Sequence, residues 1–410
     1  MKTKTAYINL LAFFLFLNAT AQNYTADFIK SVTFSNGVNQ NPILKLGESF
    51  IVSFDDLQAD QKEYRYLIEH CDYNWKKTDL QVTNFLDGYD SFEINNFENS
   101  FNTYQNYTHY SFAIPNQFSR IKTSGNYILT VLNSYDEICF QRRFVIYEPV
   151  VTVRASVKRD RNIENIQKKQ VVNFSVVHPD LRINNPKQEL KISILQNNDW
   201  NLEKKNLIPL FYRNNEIIYN YNEETSFYGN NEFLNFDTKN VRGSNIFIAS
   251  TIIENQQFHS YLYATIARRF MPYTYFPDIN GGFTIRTLNG SNAGIESEYN
   301  RVHFALESKG IDTNKDDIYV YGAFNNYAFT EENRMKYNKI SGKFETEINL
   351  KQGFYNYMYI TKKGEEPVAL HKVSGSFQET ENDYTILVYY KPYGAVLGKV
   401  IGKTTINSKS

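Results

Sequence analysis

Net charge, cysteine and long apolar runs are all scarce in this chain of 410 residues. Lysine plus arginine is 44 and aspartate plus glutamate is 44. No sequence-wide field therefore draws in phosphate backbones or anionic lipid, and nucleic acid is excluded as a general partner. Two cysteines, Cys71 and Cys139, are too few for a disulfide scaffold. An oxidising compartment permits them to pair, and the sequence leaves that open. A zinc site needs several ligands at short spacing, whereas the six histidines (His70, His109, His178, His259, His303, His371) are scattered singly. No metal and no cofactor is expected. Beyond residue 21 no stretch approaches the ~18 apolar residues of a spanning helix.

Catalytic strings are also missing. The nearest approach to a G-x-S-x-G elbow, Lys372-Val373-Ser374-Gly375-Ser376, has neither glycine in place. No G-x-x-x-x-G-K-[ST] loop occurs to cradle a phosphate. Adjacent carboxylates occur at Asp55-Asp56, Glu223-Glu224, Asp316-Asp317 and Glu365-Glu366. Neighbours on a strand point to opposite faces, so these pairs do not straddle a sugar as glycoside hydrolysis requires. No catalytic residue is assigned, and a protein without enzymatic activity is expected.

What is present favours strands. Hydrophobic residues at 42% against 21% charged place the chain among folded proteins. The 32 Tyr and 31 Phe suit a pleated, half-buried surface, and the 48 Asn suit turns. Residues 1–21 read as a secretory signal peptide: basic Lys2 and Lys4, an apolar run from Ile8 to Leu17, and Ala19-Thr20-Ala21 before Gln22. No cysteine follows the cleavage site, so no lipid anchor is expected.

At about 150 residues per domain, 410 residues make two or three domains. Short alternating runs recur between Asn, Gly and Asp clusters, which predicts an all-β protein of three consecutive β-sandwich domains. The first spans 22–148, with strands at Ile43 to Phe54, Tyr64 to His70, Tyr107 to Ile114, Tyr127 to Leu132 and Ile138 to Tyr147. Glu148-Pro149 marks its end. The second spans 149–270 and includes a hairpin turning at Arg213 to Glu216. The third spans 271–410, with strands at Tyr299 to Glu307, Asp317 to Gly322, Phe344 to Leu350, Phe354 to Thr361 and Tyr384 to Tyr390.

In that third stretch, Gly322-Ala323-Phe324-Asn325-Asn326-Tyr327 is followed by Met335 to Asn338 and Lys351 to Tyr359. The pattern resembles the early-set immunoglobulin-like fold of glycogen-binding modules, in which a tryptophan after the Phe-Asn-Asn turn stacks on sugar. Here Tyr327 takes that place and the unit has no tryptophan. Sugar binding through Tyr327, with Lys336 and Asn338 at the ring edge, is the alternative reading of the chain.

Longer strings point elsewhere. Tyr64 to Trp75, Phe85 to Tyr89, Tyr107 to Tyr110, Asn231 to Asp237 and Phe377 to Tyr384 together resemble the plug protein family of the type IX secretion system of Bacteroidetes. The resemblance implies a non-enzymatic periplasmic protein, peripherally associated with the outer membrane, that seals the periplasmic opening of the large outer-membrane β-barrel translocon. The signature or interface residues it singles out are Tyr66, His70, Asp72, Trp75, Asp87, Gly88, Tyr107, His109, Tyr110, Asn231, Glu232, Phe236 and Asp237.

If the leader is removed as read, the mature protein begins at Gln22. N-terminal sequencing of protein from the envelope fraction should return Gln22, and recovery from the cytoplasm with Met1 intact would refute the leader.

Overall fold

The strand Phe50–Asp56 shows how the first unit is built. Phe50, Val52 and Phe54 turn inward while Ile51 is exposed, the period of two expected of a half-buried strand. In the computed structural model, which describes residues 24–36, 42–243, 245–312, 317–364 and 366–410, this strand lies in a four-stranded sheet with Ile29–Ser35, Thr108–Ile114 and Phe97–Asn99. The leader expected over 1–21, Asp316 and Glu365 fall outside the described residues. A second, five-stranded sheet carries Ile43–Lys45, Ile138–Tyr147, Gly125–Asn133, Tyr64–Cys71 and Ser91–Glu93. Between the sheets the core is largely aromatic: Phe54 stacks on Tyr110 at 5.1 Å and meets Tyr64 edge-on at 5.3 Å, geometries that add to simple burial.

The run from Ile43 to Phe54, expected as one strand, is two. Gly47, with φ +91°, turns the chain so that Ile43–Lys45 pairs with Ile138–Tyr147 in one sheet and Phe50–Asp56 joins the other. An uninterrupted apolar pattern cannot report such a change of sheet.

The second unit packs Thr152–Arg159, Lys169–Val177, Glu216–Tyr219 and Phe211–Arg213 against Asp199–Lys205, Leu190–Gln196, Asp383–Tyr390 and Lys399–Asn407. The hairpin turning at Asn214 forms as the sequence predicts. Its second sheet, however, is completed by strands from the far end of the chain. Leu190–Gln196 pairs along its whole length with Asp383–Tyr390, and Tyr384, Ile386 and Val388 enter the same core as Phe174 and Ile194.

The third unit correspondingly starts earlier than residue 271. Leu234–Asp237 pairs with Gly353–Thr361, and the hairpin Ile248–Glu254/Gln257–Leu262 joins Tyr299–Glu307 through a parallel register. Phe236 stacks on Tyr355 at 5.3 Å. The sheets are all β, but they do not divide at 270/271: the third unit is inserted into the second. Alternation says which face of a strand is buried and is silent on which distant strand it pairs with.

First and second units meet through an apolar cluster containing Ile43, Trp75, Val145, Leu195, Leu387 and Val400, in which Trp75 packs edge-on against Trp200 at 4.9 Å.

The two cysteines are separate buried thiols. Cys71 pairs opposite Asn126, while Cys139 lies beside Phe140, which pairs opposite Val131. At ~3.3 Å per residue these lie roughly 18 Å apart along the strand, far beyond the ~7 Å Cα limit of a disulfide. Burial pushes the Cys71 thiol up to about 12 and the Cys139 thiol up to about 11. The native protein should therefore react slowly with a thiol reagent at neutral pH, and unfolding in guanidinium without reductant should release two reactive thiols per chain.

Candidate functional site

The buried ionic joint between the first and third units is built on Asp55 and Lys351. Asp55 is the last residue but one of the strand Phe50–Asp56, and Lys351 ends Lys343–Lys351 on the other unit. Both side chains are shut off from solvent, and Lys351 Nζ donates to Asp55 Oδ2 at 2.6 Å. The Tyr299 hydroxyl donates to the same oxygen at 2.6 Å, and His109 Nδ1 donates to Oδ1 at 2.6 Å. Ser31 Oγ lies 2.7 Å from the Tyr299 hydroxyl, and the ammonium sits 4.1 Å from the Tyr107 ring centroid. Burial opposes the charge on Asp55, but Lys351 and His109 outweigh it and hold the carboxyl below its ordinary value.

Around this centre the joint continues with polar contacts. The Tyr107 hydroxyl donates to the Ser297 carbonyl at 2.9 Å, and Glu298 accepts from the backbone N–H of Tyr104 and Gln105 at 2.6 and 3.1 Å.

A second joint lies where the chain crosses between the second and third units. Gly229 to Phe233 leads out and Gly375 to Asn382 leads back, side by side. The Asn230 carbonyl accepts from the N–H of Phe377 and the hydroxyl of Thr380, both at 2.9 Å. Asn231 Nδ2 donates to the Ser374 carbonyl at 2.8 Å, and Asn382 Nδ2 to the Gly229 carbonyl at 2.8 Å. Buried Glu232 accepts from the Tyr273 hydroxyl and from the N–H of Glu381. Gly229 is required here, because a Cβ would lie 2.0 Å from the Phe377 carbonyl oxygen.

These are the strings Asn231 to Asp237 and Phe377 to Tyr384, and the geometry shows what they encode: a double crossover. Most of the other singled-out residues serve the fold in the same way. Tyr66, His70, Trp75, Tyr107, Tyr110, Asn231, Glu232 and Phe236 are buried, so a docking partner would not reach them. The Tyr66 hydroxyl meets Ser119 and Asn116 at 3.0 and 2.9 Å, and His70 hydrogen-bonds Thr78 at 3.0 Å inside an aromatic shell that pushes its imidazole down to about 4. Asp72 caps the turn before Trp75, accepting from the N–H of Asn74 and Lys76. Gly88, at φ +99°, passes against the Phe118 carbonyl, and Asp87 pairs with Arg120 at 2.7 Å. Asp237 holds Arg286 at 2.6 Å. Of the thirteen, only Asp72, Asp87 and Gly88 are well exposed.

The residues of the sugar alternative are not brought together. Tyr327, with φ +54°, packs on Tyr321 at 5.1 Å, and its carbonyl accepts from Asn201 of the second unit at 2.9 Å. Its ring is committed to the seam between units. Lys336 and Asn338 lie on another strand, where Asn338 bonds Glu345 at 2.9 Å. Asp55 and Asp56 are likewise engaged separately, Asp56 with Lys62 and Tyr64 at 2.8 Å each.

The three units enclose a cleft of about 1770 Å³ that reaches Phe34, Trp200, Asn280 and Tyr327. At its wall, burial pushes the Asp199 carboxyl up to about 7 while Tyr321 and Asn201 hydrogen-bond it. On the outer surface, exposed Phe247 and Phe276 are in edge contact at 5.4 Å beside the edge hairpin, and the N–H of exposed Tyr263 donates to the Phe247 carbonyl at 3.3 Å. The band takes Phe276 from one stretch of the sequence and Phe247 and Tyr263 from others, so no single segment marks it.

Residues 29–148 match the family model described as the type 9 secretion system plug protein 1st domain. The chain carries a plug-family first domain. The plug-family match ends where the second unit begins, and it ties the protein to type 9 secretion. A crystal structure of a hypothetical protein from Parabacteroides merdae shares 29% identity and superposes with a TM-score of 0.90, covering 94% of this chain and 99% of that one. The arrangement of all three units around the plug-family domain is thus shared. A biofilm associated protein BSP domain (8% identity, TM-score 0.19, covering 95% of this chain and 60% of that one) and the native conformation of E. coli alpha-2-macroglobulin (10%, 0.18, 94% and 23%) are too dissimilar to carry an argument. No curated protein matches the chain.

Removing Lys351 leaves Asp55 buried without its principal counter-charge. Lys351→Met should destabilise the protein by about 3–5 kcal/mol, read as a lowered urea midpoint. Because the Asp55 carboxyl is depressed in the fold, its stabilisation is complete above the ordinary aspartate value and is lost as pH falls through the lowered one. The wild-type protein should therefore weaken on acidification, and Lys351→Met should show less of that acid dependence.

Proposed function

We propose that this protein is a non-enzymatic periplasmic plug that closes the periplasmic opening of the outer-membrane translocon barrel of the type 9 secretion system. The observation that carries the reading is the match of residues 29–148 to the plug protein first domain. The physical form of the molecule supports it. A pore wide enough for folded cargo leaks solutes unless it is covered, and a body ordered before docking covers it at small entropic cost. The joints at Asp55–Lys351 and at the double crossover supply that order.

The exposed aromatic band at Phe247, Tyr263 and Phe276 is the contact surface we assign to the barrel, since aromatic side chains offer large area with few rotors. Affinity purification from detergent-solubilised envelopes should bring down a very large barrel protein, and Phe276→Asp should weaken that capture while leaving the melting temperature unchanged. Deleting the gene should sensitise cells to vancomycin while cargo export largely continues. Sensitisation that persists when the barrel is also removed would show that the leak runs elsewhere and would overturn the plug reading.

A further inference from the structure

Three neighbouring strands of the third unit bring together side chains that are far apart in the sequence. His259 lies on Gln257–Leu262, His303 on Tyr299–Glu307 and Glu347 on Lys343–Lys351. The register places His303 directly opposite Glu347 on one side and opposite Tyr261 on the other. Residues two apart on a strand share a face, so His259 stands on the same face as Tyr261. His259 Nδ1 lies 2.9 Å from His303 Nε2, and His303 Nδ1 lies 3.6 Å from Glu347 Oε2. One ligand atom from each of the three falls within 4.8 Å of the others. All three are accessible: the histidines are half-buried and Glu347 is exposed.

We propose that His259, His303 and Glu347 form a binding site for a divalent transition-metal ion that prefers imidazole, with zinc as the representative ion. Two imidazole nitrogens facing each other at this separation share a single proton, and a metal replaces it. Tetrahedral zinc, at ~2.0–2.1 Å to each nitrogen, sets ligand atoms about 3.3 Å apart. The histidine pair therefore has to open by only about 0.4 Å. Glu347 Oε2 faces Nδ1 of His303, the nitrogen turned away from His259, so the carboxylate swings past the edge of the His303 ring to complete the set and gives up Arg301 at Oε1. Arg301 also donates to Gln257 at 2.7 Å and keeps that partner if Glu347 swings to the metal. Tyr261 stacks on the His303 ring at 4.1 Å and fixes its plane. Imidazole with one carboxylate suits zinc or copper over magnesium or calcium.

An ion bound there would bridge the parallel junction that attaches the edge hairpin Ile248–Glu254/Gln257–Leu262 to the rest of the sheet. The site therefore predicts two independent readouts. Untagged mature protein titrated with ZnCl₂ in a calorimeter should bind one equivalent saturably, and MgCl₂ should not substitute. His303→Ala and His259→Gln should each weaken zinc binding at least tenfold, with melting in EDTA close to that of the wild type. Arg301→Gln should tighten it by removing a competing cation. Zinc should also slow amide hydrogen exchange over residues 257–262 in the wild type and not in His259→Gln. Absence of saturable zinc binding, equal binding of magnesium, or affinity unchanged in either histidine variant would overturn the site. If His303→Ala melts early in EDTA, the decision rests on the half-buried His259→Gln.

Discussion

Taking the Asp55–Lys351 pair out of water is costly, and in a dry interior mutual attraction repays that cost only when the remaining donors and acceptors are also satisfied. Here Asp55 accepts from Lys351, Tyr299 and His109, and Lys351 also donates to the Gly294 carbonyl at 2.5 Å. The pair is satisfied in one relative placement of the first and third units. Rotating either unit would strand a buried charge, so the ionic joint acts as a register for the assembly, while the apolar cluster around Trp75 and Trp200 supplies contact area between first and second units. Removing one partner of such a joint costs more than the joint itself contributes, which makes it intolerant of change.

The double crossover constrains the other two units. Because the third unit is inserted between strands of the second, two segments of backbone span the junction, and their carbonyls and amides would be orphaned without each other. The side chains of Thr380, Asn231, Asn382 and Glu232 fill that need. Their side chains are short, carry several donors or acceptors, and sit where neither sheet can complete the backbone ladder. This explains why strings that carry family resemblance contain so little surface chemistry. They specify how the chain passes from one sheet system to the next.

Together the two joints describe a body ordered before it meets a partner. Its many aromatic residues fall into two populations. Phe54, Tyr64, Tyr110 and their neighbours fill cores, with tyrosine hydroxyls satisfied at the rims by Asp56 or by the Lys62 backbone. Phe247, Tyr263 and Phe276 stay at the surface beside an edge hairpin. The same residue types thus fill the cores and also remain at the surface. Only location separates them.

The sequence by itself determined the all-β class and the position of many strands, among them Ile138–Tyr147 and Tyr299–Glu307. These are local matters: alternation, β-branched and aromatic content, and turn residues all act within a few positions. Strings such as Tyr64 to Trp75 also made the plug family legible. Only the tertiary structure decided that Ile43–Lys45 leaves its neighbour's sheet, that Asp383–Asn407 returns to the second unit, and that Tyr327 faces a seam. It also decided which side chains meet: Asp55 with Lys351 across 296 positions, and His259 with His303 across 44. The reason is that strand periodicity fixes the buried face but leaves the pairing partner free. That choice is made by long-range burial and by the need to satisfy every buried charge and backbone group at once.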